Sequence, residues 1–94
     1  MRLVLTTVRK KSDAVLLAKQ LVAKKAAGCV VFLPAESVYV WKKKVAHEKE
    51  WLLLIKTRTE TRVRSLLEKI HPYQLPAIMS LPAKANKTFE AWLR

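Results

Sequence analysis

Two long stretches of strand-forming sequence, residues 30–40 and 45–57, stand almost back to back, parted only by the basic run Lys42-Lys43-Lys44. Both alternate and are rich in β-branched and aromatic side chains, as a pleated strand requires. In the second, Trp51, Leu53 and Ile55 fall on one face and Leu52, Leu54 and Lys56 on the other. The first carries Pro34, which predicts an interruption there. A hairpin this long in a chain of 94 residues outruns any helices the remaining sequence can lay over it. It leaves an apolar face and strand edges without cover, and so predicts a partner chain.

The flanking segments supply the rest of the fold. Residues 3–8 are compact and β-rich. Ser12 is placed to cap a helix, with Asp13 in its first turn, and Ala14, Leu17, Ala18, Leu21 and Val22 form a buried stripe running to about residue 26. Gly28, the only glycine, stands where a left-handed C-cap residue belongs. Val63, Leu66, Leu67 and Ile70 share one helical face over residues 59–70, and Pro72 ends that helix by forcing His71 out of the helical region. Tyr73 then leaves a stiff backbone ahead of a strand at 75–81, and a short helix over 88–93 carries Phe89, Trp92 and Leu93. The order β-α-β-β-α-β plus a terminal helix predicts an α+β, ferredoxin-like sandwich with a long central hairpin, as one domain over residues 1–94.

Composition narrows the function. The longest uninterrupted apolar stretch, residues 51–55, is far too short to span a bilayer, and Arg9, Lys10 and Lys11 break the first apolar run, so neither a membrane span nor a signal peptide is expected. The single cysteine, Cys29, excludes an internal disulfide framework and suits a reducing cytoplasm. Nineteen Lys and Arg against seven Asp and Glu give a net charge of +12, clustered at Arg9-Lys10-Lys11, Lys24-Lys25 and Lys42-Lys43-Lys44. Such clusters serve either as solvated turns and helix ends or as a surface for polyanions. Nucleophile-elbow, P-loop and dinucleotide-binding motifs are missing, and one glycine cannot build a phosphate-cradling loop, so no enzyme is predicted.

Taken in order, Leu5-Thr6-Thr7, Ala27-Gly28-Cys29-Val30, Tyr39-Val40-Trp41, Glu50, Leu54-Ile55-Lys56-Thr57, His71-Pro72-Tyr73 with Pro76, and Trp92 resemble the CutA family of divalent-cation tolerance proteins. The resemblance covers nearly the whole chain. It implies a PII-like homotrimer in which long hairpins pair between subunits, with a cytoplasmic role in copper or other divalent-metal tolerance. The chain departs from the pattern at Lys43, where a glycine is usual, at Lys42, Ala46 and Lys49, which replace acidic residues, and at Arg9, which replaces a proline. In metal-binding members the ligands include a first-strand thiol and two adjacent histidines before the proline. Thr6, Ile70 and His71 stand at those positions, so one ligand of three is kept.

The candidate chemistry follows. For a divalent metal such as copper the soft or borderline donors are His71 and Cys29, with His47 as a third. Cys29 read alone is the buried small hydrophobe that a free cysteine usually is. Trp41, Glu50, Lys56 and Tyr73, with His71, are the positions the resemblance gathers at intersubunit clefts. Lys56, following four apolar residues, needs an anionic partner; Glu50 would make a structural pair, whereas a free Lys56 beside His71 would hold a small anion. The aromatics Phe32, Tyr39, Trp41 and Trp51 are expected in an interface core. The reading from a different class is an RNA- or polyanion-binding module that uses the basic clusters and strand aromatics, although the RNA-recognition signature is absent.

Overall fold

The computed structural model describes residues 1–93. The elements run β1 (Arg2–Val8), α1 (Lys11–Ala23), β2 (Cys29–Trp41), β3 (Lys44–Thr57), α2 (Glu60–Ile70), β4 (Met79–Pro82) and α3 (Lys87–Trp92). The four strands form one antiparallel sheet in the order β2-β3-β1-β4. This is the ferredoxin-like sandwich that the sequence pattern implies, drawn out by its hairpin to 46 × 23 × 21 Å.

Strand periodicity decides which face the helices cover. Val4, Thr6 and Val8 of β1 pair in register with Ile55, Leu53 and Trp51 of β3, and this set turns toward α1 and α2. Ala14, Leu17 and Leu21 from α1 and Val63 and Leu67 from α2 close over it, with Leu66 and Ile70 packed at the margin. The stripe expected on α1 therefore forms, except that Val22 lies at its edge and is exposed. Residues past about Ala35 of β2 and before Glu50 of β3 pair beyond this core, and Val38, Val40, Trp41 and Val45 there are exposed.

Local punctuation differs from expectation at four places, each for a physical reason. Helix α1 starts earlier than Ser12, with Lys10 at the N-cap and the Asp13 amide bonded to the Lys10 carbonyl, and Ser12 and Asp13 sit in the first turn. It ends at Ala23 rather than near 26, because Lys25 takes the left-handed position (φ 58°) and Gly28 does not. The Lys25 and Ala26 amides reach back to the Val22 and Leu21 carbonyls, which makes a Schellman ending with a lysine in the usual glycine place. Pro34 does not interrupt β2; it pairs with Trp51, and because β2 is an edge strand the missing N–H falls where no neighbouring strand needs it. Finally, β4 is only Met79–Pro82; the segment before it is tied to β1 at His71 and Ala77 through the Thr6 hydroxyl and makes no strand ladder.

The hairpin turn carries a testable cost. Trp41 pairs with Lys44, so Lys42 and Lys43 form a two-residue loop, and both have positive φ (51° and 66°). A type I′ hairpin turn demands this, and glycine accepts it far more readily than lysine. Lys43→Gly is expected to stabilise the chain by about 1 kcal/mol. Thermal or denaturant unfolding of the two proteins side by side checks the sign; a less stable glycine variant would mean that Lys43 makes a compensating contact.

Candidate functional site

Glu50 is the polar group that this fold buries on the face away from the helices. It pairs with Ala35 in β3–β2 register, one step from Trp51, so its side chain shares the open face with Leu52 and Leu54. It is nevertheless only 8% exposed. One carboxylate oxygen accepts the Ser37 hydroxyl and the other accepts the Tyr73 hydroxyl at 2.5 Å. Burial by itself would raise its pKa, but the bonds from Ser37 and Tyr73, with the attraction of Arg9, outweigh it and hold the carboxyl below its ordinary value. Tyr73 responds in the opposite sense: burial, then its bond to Glu50, pushes the phenol far above the usual range. The Arg9 guanidinium lies 5.9 Å from the Tyr73 ring centre and 3.5 Å from Glu48. Arg9, Glu50, Pro34, Lys49 and Trp51 then line an open cleft of ≈ 500 Å³.

His71 fixes Tyr73 in place. As the C-cap of α2 it is extended (φ −65°, ψ 133°), which Pro72 requires, and its amide still closes on the Leu67 carbonyl. The Tyr73 amide donates to Nδ1 at 3.0 Å. Nε2 lies 2.9 Å from the Thr6 hydroxyl, which itself donates to the Ala77 carbonyl at 2.7 Å. That pattern assigns the proton to Nε2 and leaves Nδ1 an acceptor. Burial lowers the imidazole pKa, offset in part by the Thr7 backbone and the charges of Asp13 and Glu50.

The structure therefore brings together Glu50, Tyr73 and His71, and adds Ser37 and Arg9, which the sequence reading did not select. Counting back from a two-residue turn places Ser37 diagonally opposite Glu50, so the signal for Ser37 was present in the hairpin register. The other positions lie apart. Lys56 is six residues along β3 from Glu50, about 20 Å at strand rise, and its ammonium sits 5.2 Å from the Phe89 ring centre. The structural Glu50–Lys56 pair is thus not made within the chain. Trp41 is exposed at the hairpin tip, and Cys29, half-buried, opens β2 beside Lys56. The aromatic row divides: Phe32 and Trp51 meet edge-on on the helix side, where Lys11 lies 5.4 Å from the Trp51 ring, while Tyr39 and Trp41 belong to the open face.

This donor set does not suit a soft metal. Both nitrogens of His71 and both oxygens of Glu50 are engaged, Cys29 is remote from them, and among the described residues no three His, Cys, Asp or Glu side chains gather to hold an ion. The donors of this chain alone do not make a copper site. His47 bonds Glu36 at 2.7 Å on the exposed part of the hairpin. No described helix is long and apolar enough to cross a membrane.

Comparison with known proteins places the chain in a family. The model of the CutA1 divalent ion tolerance protein matches residues 2–94. The divalent-cation tolerance protein CutA of Thermus thermophilus is 38% identical over 97% of this chain and 92% of its own length. Among solved structures, the protein described as periplasmic divalent cation tolerance protein CutA from Archaeoglobus fulgidus superposes with a TM-score of 0.93 at 30% identity, over 98% of this chain and 94% of its own. The PII-like protein CutA from Nostoc superposes with a TM-score of 0.91 at 25% identity, over 100% and 94%. A shared fold and a family match over residues 2–94 lead to one conclusion: this chain belongs to the CutA1 family of divalent ion tolerance proteins.

Proposed function

We propose that the chain acts as a non-enzymatic, cytoplasmic homotrimer in the divalent-metal response of its family, copper included, and takes up its ligand where subunits meet. The observation that carries this reading is the open face of the hairpin. Glu50 lies buried there among Ser37, Tyr73 and Arg9, while Val31, Leu33, Tyr39 and Trp41 around it are exposed. An apolar face of this extent, on strands that outrun their own helices, fits a second copy of the chain better than water. Covered in this way, Glu50, Tyr73 and Trp41 of one subunit would stand near Lys56 of another, and the cleft would suit a small anion or a metal ion. Because one chain keeps His71 and Cys29 apart, ligation by both would draw on different subunits.

Solution mass tests the assembly: three times the chain mass is expected, and a stable monomer at micromolar concentration overturns it. Copper titration of the wild type and His71→Ala tests the metal. Weaker binding by the variant supports His71 as a ligand, and identical curves remove it.

A further inference from the structure

A second cleft lies in the helical layer, on the opposite side of the sheet from Glu50. It has a volume of ≈ 370 Å³ and lies between the end of α1 and one flank of α2. Its polar walls are Lys24, Thr61, Arg62, Ser65 and Lys69, and Leu66 contributes to its lining; no carboxylate lines it. The helical repeat explains the grouping, since Thr61, Ser65 and Lys69 succeed one another at i, i+4 and i+8, with Arg62 and Leu66 in the adjacent row. The acidic residues of α2 lie outside this lining: Glu60 is paired with Arg64, and Glu68 is exposed beside Lys69.

The end of α1 would ordinarily repel an anion, because free carbonyls give it a partial negative charge. Here three of those carbonyls are occupied, and so are two just beyond them. Gln20, Leu21 and Val22 accept the Lys24, Ala26 and Lys25 amides. The Ala26 carbonyl accepts the hydroxyls of Thr57 (2.6 Å) and Thr59 (3.1 Å), and the Lys24 carbonyl accepts the Arg62 guanidinium at 2.9 Å. That last bond also holds Arg62 at the rim, leaving its other N–H groups to point elsewhere. A planar guanidinium, two ammonium groups and two hydroxyl donors around a cleft without an acid match a tetrahedral, multiply charged anion.

We infer that the α1–α2 cleft binds a small phosphate-bearing anion through Arg62, Lys69 and Lys24, independently of the sheet face. The other basic clusters differ from it. Lys42 and Lys43 project from a two-residue turn at the hairpin tip, and Arg9 is engaged with Glu48 and Tyr73.

The test is a titration of the isotope-labelled protein with inorganic diphosphate at fixed ionic strength, followed by amide chemical shifts. Saturable shifts confined to residues 24–26 and 61–69 are expected. Arg62→Gln/Lys69→Gln should weaken binding about tenfold or more, since each charge-assisted contact is worth at least that factor. Arg62→Lys should weaken it less, retaining the charge but losing the fork. Lys42→Gln/Lys43→Gln, which removes the same charge elsewhere, should stay within about twofold of wild type. Unchanged spectra away from the substitutions confirm that each variant is folded. Non-saturating shifts over every lysine cluster, or equal weakening by the two double variants, would overturn the inference and leave only general charge attraction.

Discussion

Leu53→Ala is expected to lower the unfolding free energy by about 2–5 kcal/mol, the range for truncating a large side chain in a closed core. Leu53 is 0% exposed and sits at the crossing point of the fold. Its strand neighbours are Thr6 in β1 and Phe32 in β2, and Leu17, Leu21, Val63 and Leu67 belong to the same cluster from the helices above. Both flanking strands and both helices are fixed by their own bonds, so the cavity has little room to collapse. Leu16→Ala is the control, because Leu16 is on α1 but 54% exposed and alanine suits a helix. It should change stability by less than about 0.5 kcal/mol. Denaturant midpoints at one fixed protein concentration check both; a loss below about 1 kcal/mol at Leu53 would show that the core lies elsewhere.

Glu50→Ala comes next, with a cost of about 1–3 kcal/mol from leaving the Tyr73 and Ser37 hydroxyls without their acceptor. Tyr73→Phe should recover less than the full loss, because it removes one unmatched donor and leaves Ser37. The same pair predicts acid sensitivity. The Glu50 pKa is lower in the folded chain than its ordinary 4.5, so the unfolded state binds more protons through that window. The stabilisation is complete above pH 4.5 and is lost as pH falls through the depressed folded value. His71 adds an earlier decline, beginning below its ordinary 6.5, since its folded pKa is also lowered and a proton on Nδ1 displaces the Tyr73 amide. Stability followed from pH 7 downward should therefore fall in two stages. Glu50→Gln should remove the lower stage and keep the upper, and an unaltered lower stage would remove Glu50 as its source.

How much of this was legible depended on the range of the interaction involved. Period-two alternation at Leu53 and Ile55 and the helical stripe Val63, Leu66, Leu67 and Ile70 are local patterns, and both were readable. So was the stop at His71, because Pro72 acts on its immediate neighbour. The Schellman ending at Lys25 was not, since glycine is the residue that ordinarily marks it and Gly28 stands three positions on. Pro34 was misread for want of the strand order: a proline is tolerable only once β2 is known to be an edge. In the site, Glu50, Tyr73 and His71 were named from the resemblance, but their mutual bonds depend on chain segments far apart in sequence. Lys56 pointed to Glu50 because a lysine after four apolar residues needs an anionic partner, and strand rise alone puts the two out of reach within the chain.

The position of β1 in the sheet has a consequence for how the chain is made. It lies between β3 and β4, so Val4 has neither sheet neighbour until Ile55 and Ser80 have been synthesised. The β2–β3 hairpin, whose turn is two residues long, can zip as soon as it leaves the ribosome. Although β1 is translated before the hairpin, it is thus seated after it, inserted alongside a pair of strands that is already waiting. During that interval the edge of β3 that receives β1 is bare, and crowded nascent chains would meet there first.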